Sequence, residues 1–217
     1  MRHKFLLISI FASTFFGCNT NDKIQSCSYF HNEKINLNDV KNIYEFTSNS
    51  EAQNLVDSIL REIGLSGNFI VSRNNKVSNA AAVIYGKDRF ILYNQNFIKI
   101  SKSITNNSWV PLSILAHEIG HHLQGHTLDD KGSRPSLELE ADKFSGFILG
   151  KMGASLQDAQ TAIATLASSI ATKSHPSKID RLDAIAEGFQ NALDENSIKK
   201  NKVEPSASKK QSQRSLV

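Results

Sequence analysis

Residues 109–124 read WVPLSILAHEIGHHLQ, an apolar run that predicts a helix and contains the pattern H-E-x-x-H. A helix turns about 100° per residue, so His117 and His121, four positions apart, project from one face as neighbours. Two neutral imidazoles in this arrangement suit Zn²⁺, and Glu118 then lies beside the metal rather than on it. From there its carboxylate can take a proton from a water molecule whose pKa zinc lowers to roughly 7. Because the pattern also occurs by chance, this interpretation needs a third ligand elsewhere in the chain.

A second predicted helix, over residues 135–152, offers that third ligand. Glu138 and Asp142 are four apart and share a face, whereas Glu140 points away from both. Glu138 can therefore reach a zinc ion held by the first helix, and Asp142 can accept the free ring N–H of a ligand histidine. The alternative ligand is Glu140, which would leave Ala141 and Asp142 wrongly placed for support. A solvated acidic face is the alternative in which none of the three carboxylates meets a metal.

The residues that follow the first helix do not extend its motif. In the metzincin pattern H-E-x-x-H-x-x-G-x-x-H, the third histidine would fall at Thr127, and Gly125 lies one residue late. His126 is therefore out of register. We expect it to interact with the C-terminal end of its helix, and the alternative is that it approaches the cleft near the helix end. His122 faces about 100° away from His121, so we expect it to pack or to meet solvent.

The charge of the chain is concentrated at its two ends. The formal net charge is +4, but eight of the 25 Lys and Arg residues lie in the first four residues or after Asn196, against one of the 21 Asp and Glu residues. The body of the chain is therefore slightly acidic, and no basic face indicates a nucleic-acid partner. A length of 217 residues with 40% hydrophobic residues is typical of one ordinary globular domain.

The start of the chain, residues 1–18, predicts a secretory signal. Its charged first residues precede a twelve-residue apolar run that is too short to span a bilayer comfortably. The final FFGC resembles a bacterial lipobox, although Phe15 stands where an aliphatic residue is usual. We expect a lipid anchor on Cys18 and a location in the periplasm or at the outer membrane of a Gram-negative bacterium. The alternative is plain cleavage, with Cys18 bonded to Cys27 in an oxidising compartment.

The order of predicted elements indicates an α+β fold, a small antiparallel sheet with a helical bundle that carries both ligand helices. A linker is expected over 19–47, the catalytic domain over 48–194, and a disordered polar basic tail over 195–217. Capping residues and hydrophobic periodicity predict the elements as follows: a helix from Ser48 to Gly64, strands over 68–72, 77–84 and 89–93, a short helix after Asn94, the two ligand helices, a helix capped by Ser155 with Asp158, and one capped by Ser177 with Asp180 that ends near Leu193.

With these motifs, the chain resembles the gluzincin zinc metallopeptidases, in the group that includes the CAAX prenyl endopeptidases and the bacterial HtpX and BepA proteases. The resemblance spans about Glu51 to Phe189, and members with several transmembrane helices do not fit this sequence. Four elements carry it in the family's order: NAAA at 79–82, HEIGH at 117–121, ELEAD at 138–142, and His175-Pro176 followed by Arg181.

The resemblance implies a zincin-like fold and one zinc ion per chain, bound by His117, His121 and Glu138. It implies Glu118 as the general base and Asp142 as support for a ligand histidine. It also implies a polypeptide substrate that adds in extended form beside the strands near 80–84 or 90–93, through backbone hydrogen bonds. The activity expected is hydrolysis of unfolded or misassembled proteins in the cell envelope. The alternative is a zinc-binding envelope chaperone or assembly factor with little proteolysis.

Two later residues have open roles. His175 precedes a proline, which disfavours helix, so its ring lies on a loop. There it would stabilise the oxyanion, occupy the open zinc position in a resting state, or serve only the structure of the loop. Arg181 would stabilise the oxyanion or form a salt bridge with Asp142 or Glu138.

Overall fold

The computed structural model describes residues 24–29, 50–128 and 133–203. The predicted signal segment with Cys18, most of the predicted linker and the end of the tail lie outside these ranges. The described part is α+β, as predicted. Its elements, in chain order, are β1 (Ile24–Ser28), α1 (Ser50–Glu62), β2 (Phe69–Arg73), β3 (Ala80–Tyr85), β4 (Asp88–Tyr93), α2 (Gln95–Thr105), α3 (Val110–Leu123), a 3-10 turn (His126–Leu128), α4 (Pro135–Lys151), α5 (Leu156–Leu166) and α6 (Lys178–Val203).

The sheet has the order β1-β3-β4-β2 and is mixed, so the prediction of a purely antiparallel sheet was wrong. A two-residue turn, with Gly86 at a φ of 62°, makes β3 and β4 an antiparallel hairpin. The segment between β2 and β3 passes over the end of β4, where the Asn74 N–H donates to the Tyr93 carbonyl at 2.9 Å. β4 is thereby inserted between β2 and β3, and it runs parallel to β2.

Strand β1 lies inside the predicted linker, and the linker prediction was wrong for these residues. It pairs antiparallel with β3, in a register that runs from Ile24 opposite Tyr85 to Ser28 opposite Ala81. The pairing continues one residue further, since the Tyr29 N–H donates to the Ala80 carbonyl at 3.1 Å. β1 is therefore an edge strand, and it covers the side of β3 that faces away from β4.

Helix α3 is the centre of the domain. Every residue from Val110 to His122 is buried, which explains why the H-E-x-x-H pattern is embedded in an apolar run. Gly120, one of the two variable positions of the motif, allows α4 to approach closely. A Cβ at this position would lie 3.2 Å from the Cα of Ala141 and from the Phe144 side chain. The absence of a side chain at Gly120 thus brings the helix that carries Glu138 next to the histidines.

Helices α4 and α6 also pack backbone to backbone. A Cβ at Gly146 would collide with the carbonyl of Ile185, and a Cβ at Gly188 with the carbonyl of Lys143. These two glycines let α6 lie against α4 along its length. Since Asp142 is on α4, this contact brings the beginning of α6 to it.

The helix caps agree with the sequence patterns, but the last helix is longer than predicted. Ser155 and Asp158 form a reciprocal capping box at α5, and the Asn94 side chain accepts two backbone N–H groups at α2. Helix α6 continues to Val203, beyond the predicted end at Leu193 and into the predicted tail. Within the described ranges, no helix is long and apolar enough to cross a membrane.

Candidate metal centre

The structure brings His117, His121 and Glu138 together at the contact between α3 and α4. The two Nε2 atoms are 3.0 Å apart; that of His117 lies 3.4 Å from Glu138 Oε2 and that of His121 lies 3.4 Å from Glu138 Oε1. Atoms that each lie about 2.0–2.1 Å from a tetrahedral zinc ion are separated by about 3.3–3.4 Å. All three side chains are fully buried. The three residues therefore form a group that can bind a metal ion with little rearrangement.

The Glu138 carboxylate lies near His117, His121 and Arg181, at 3.4, 3.4 and 3.9 Å, without a hydrogen bond to any of them. Neither of its oxygens has a hydrogen-bond partner within the described part of the chain, although both are buried. A buried carboxylate without donors costs several kcal/mol, on the order of 2–7 for a polar group and more for a charge. A divalent cation between Glu138 and the two histidines would compensate that charge.

His117 is oriented by Asp142. Its Nδ1–H donates to Asp142 Oδ1 at 2.9 Å, so its Nε2 faces His121 and Glu138. Burial lowers the pKa of His117, but the Asp142 carboxylate and Glu138 raise it more, to about 9 in the metal-free protein. A ligand imidazole carries no proton on Nε2, so a metal ion bound here would displace that proton.

Asp142 is in turn held by Arg181 at the beginning of α6. The guanidinium donates from Nε to Oδ2 at 2.6 Å and from Nη2 to Oδ1 at 2.8 Å, a bidentate pair between fully buried side chains. Although burial alone raises the pKa of Asp142, the charge of Arg181 holds it below its usual range. Of the two roles considered for Arg181, the structure shows the salt bridge with Asp142, and its Nη2 also lies 3.9 Å from Glu138.

His121 has a support in His126, which lies at the site, and the sequence did not predict this contact. Its Nδ1 lies 3.0 Å from His126 Nδ1, and His126 Nε2 lies 2.9 Å from a Glu140 carboxylate oxygen. With His126 Nε2–H donating to Glu140, its Nδ1 accepts from His121, which again leaves the His121 Nε2 lone pair for a metal. Burial, followed by the neighbouring His117 and His126, lowers the pKa of His121 well below its usual value.

Glu118 is buried beside the ligand group. Both of its carboxylate oxygens are inaccessible and lack a hydrogen-bond partner among the described residues. Burial raises the pKa of Glu118 to about 8, against the opposing effect of His117 and of the Ala82 amide on β3. A carboxyl group whose pKa is raised by burial is suited to take up a proton during a reaction.

His175 lies next to the ligand group on the loop between α5 and α6. Its Nε2 is 3.7 Å from a Glu138 oxygen and 3.2 Å from the carbonyl oxygen of Ser28, and its Nδ1 is 2.9 Å from the Ser174 hydroxyl. The ring therefore points its Nε2–H toward a peptide carbonyl at the edge of the site. His122, in contrast, donates to the Phe90 carbonyl at 2.8 Å, away from the ligands.

Tyr29 is a further residue of the site that sequence analysis did not identify. Its ring meets His117 edge-on with centroids 4.7 Å apart, and the Arg181 guanidinium lies 5.3 Å from its centroid. Burial raises the pKa of the Tyr29 phenol. Tyr29 was overlooked because it falls in a polar stretch that the pattern assigned to a linker.

Comparisons with known proteins find no match that identifies this site. Of the four sequence elements behind the expected resemblance to gluzincins, three meet at this site, namely His117 to His121, Glu138 to Asp142 and His175 with Arg181, and Ala82 of the fourth lies beside Glu118. A scan against protein-family models finds no match, and searches of curated proteins and of solved structures find none either.

Proposed function

We propose that the protein is a zinc-dependent endopeptidase that hydrolyses unfolded or misassembled polypeptides in the cell envelope after export. The observation that carries this proposal is the buried group of two imidazoles and one carboxylate with an unpartnered second carboxylate, Glu118, beside it. Three protein ligands of this kind are typical of catalytic zinc, which keeps a fourth position open. When bound, zinc polarises a carbonyl group and makes a water molecule acidic enough to react near neutral pH.

The residues around the ligands have distinct tasks in this reaction. Glu118 accepts a proton from water on one of its carboxylate oxygens and passes it to the nitrogen of the leaving amine. Asp142 and His126 hold the protons on Nδ1 of His117 and His121, so that both rings keep their orientation. His175 donates from Nε2 to a carbonyl oxygen of the bound polypeptide, as it does to the Ser28 carbonyl in this structure.

The test compares Glu118→Gln with the wild-type protein. We expect the variant to bind one zinc ion per chain, measured by elemental analysis, and to lose cleavage of unfolded casein by about 10²-fold or more, as loss of a general base requires. Cleavage that persists at the wild-type rate in a zinc-loaded Glu118→Gln protein would refute the proposal.

A matched pair of variants tests the ligand assignment. Glu138→Ala removes the carboxylate between the histidines and should abolish zinc binding. Glu140 lies on the same helix, but its carboxylate contacts His126 rather than the ligand group. The Glu140→Ala protein should therefore retain the metal. Loss of zinc from Glu140→Ala with retention by Glu138→Ala would reverse the assignment.

A further inference from the structure

The candidate centre is closed to solvent in this structure. His117, Glu118, His121 and Glu138 are all fully buried. Under the proposed function, on which this inference rests, a water molecule and a peptide bond must both reach these side chains. A segment that lies across them must therefore move before a substrate binds.

The segment from β1 to Tyr29 lies across the centre. The Ser28 carbonyl accepts from His175 Nε2 at 3.2 Å, and the next carbonyl along, that of Tyr29, accepts from Arg181 Nη1 at 3.2 Å. The Tyr29 ring meets His117 edge-on, with ring centroids 4.7 Å apart. On the other side, the Cys27 thiol points to the His126 carbonyl at 3.8 Å. Two successive peptide groups of this segment thus face donors that lie next to the ligand group.

β1 is bound to β3 through the backbone hydrogen bonds that an extended peptide would use. It runs antiparallel along β3, whose other side is occupied by β4, so β3 would be the edge of the sheet if β1 left. Addition of an extended chain to such an edge relies on backbone hydrogen bonds and accepts many sequences. Glu118 lies beside Ala82, and Cys27 is the β1 residue opposite Ala82. Because β1 pairs with β3, residues 24–29 run alongside Glu118, the proposed base.

We infer that residues 24–29 occupy the groove that binds an extended substrate segment, so that the site is latent until this strand is displaced. Ser28 and Tyr29 mark the positions of the two substrate residues nearest the metal. A small residue followed by an aromatic one is the sequence that this groove accommodates. The aromatic ring would lie between His117 and Arg181, as the Tyr29 ring does.

The test removes one backbone hydrogen bond between β1 and β3, at Cys27. Hydrogen-bonded positions alternate along an antiparallel pair, and the Tyr29 N–H donates to β3, so the Cys27 N–H is the next to face it. Cys27→Pro removes that N–H, whereas Cys27→Ser keeps it and serves as the matched control. Both are made in the zinc-loaded, full-length Glu118→Gln protein, which binds a peptide without cutting it.

The probe is a fluorescein-labelled peptide Ile-Gln-Ser-Ser-Ser-Tyr, with a scrambled peptide as its control, and binding is measured by fluorescence anisotropy. We expect the Cys27→Pro protein to bind the probe about tenfold or more tightly than the Cys27→Ser protein, because displacing the strand raises the fraction of competent molecules. Equal affinities in two folded proteins overturn the inference. Tyr29→Ala, which loses the ring over His117, replaces Cys27→Pro if that variant does not fold.

Cleavage by the same variants with Glu118 intact separates this inference from the proposed function. Faster cleavage of casein by Cys27→Pro than by Cys27→Ser supports both. Cleavage at equal rates overturns latency and leaves the peptidase intact. Probe binding that increases in Cys27→Pro while neither protein cleaves supports the groove and overturns the peptidase.

Discussion

Replacing Arg181 by methionine tests whether the salt bridge behind the metal ligands determines the stability of the domain. The guanidinium makes two short hydrogen bonds to Asp142, at 2.6 and 2.8 Å, and both side chains are nearly inaccessible. Methionine keeps an apolar chain of similar length and leaves the Asp142 carboxylate buried. His117 Nδ1 then still donates to that carboxylate.

The expected cost follows from burial. Removal of one partner from a buried ion pair destabilises a protein by about 3–5 kcal/mol, because the other charge remains uncompensated. Helices α4 and α6 offer a matched control in Lys143 and Glu187, an ion pair whose side chains are 43% and 61% exposed. Lys143→Met should cost only about 0–1 kcal/mol, because solvent screens that pair.

The assay is urea unfolding of the metal-free proteins, so that zinc binding does not contribute to the measured stability. At a typical slope of about 2 kcal/mol per M, Arg181→Met should lower the midpoint by about 2 M, and Lys143→Met by about 0.5 M or less. Adding Asp142→Asn to Arg181→Met removes the buried charge and should recover about half of the loss. Equal midpoints for Arg181→Met and Lys143→Met would refute the reasoning.

Three further predictions concern metal binding and helix packing. Zinc at a free concentration 100-fold above its Kd should raise the free energy of unfolding by about 2.7 kcal/mol, and His121→Ala should remove this increase in a thermal melt. His126→Ala should weaken zinc affinity by about 10–100-fold in a chelator competition, because it orients His121, while His122→Ala should leave it unchanged. Equal affinities for these two variants would contradict that role. Gly188→Ala should destabilise the protein by about 1–3 kcal/mol in urea, since its Cβ collides with the Lys143 carbonyl, and an unchanged midpoint would contradict the close packing of α4 and α6.

The helical half of the domain was predictable because its signals are local. Capping residues such as Ser155 with Asp158, and the four-residue spacing of Glu138 and Asp142, act within one or two helical turns. The same periodicity correctly separated Glu140 from the ligand group, although it gave no indication that Glu140 reaches His126. That contact crosses from one helix to another, and spacing within a helix carries no information about it.

The sheet was less predictable because its pairing is not local. β1 contacts β3 more than fifty residues later, and its sequence of Ile24 to Ser28 is polar enough to read as a linker. Tyr29 was overlooked for the same reason. β2 pairs in parallel with β4 because β4 is inserted between β2 and β3. The turn signal at Gly86 predicts only the β3–β4 hairpin, which is one of the three strand pairings in the sheet.

The distribution of hydrogen-bond donors distinguishes this site from an ordinary buried ion network. Asp142 accepts from His117 and twice from Arg181, whereas Glu118 and Glu138 accept from no described donor although both are equally buried. In a purely structural network every buried carboxylate would be satisfied, since each unsatisfied one is costly. A short hydrogen bond to Glu138 would compete with a metal ion for its lone pairs, and one to Glu118 would hinder proton uptake. The fold thus places its short hydrogen bonds on the carboxylate that orients a ligand, and gives the two that would meet metal and water weaker neighbours, Arg181 at 3.9 Å from Glu138 and the Ala82 amide beside Glu118.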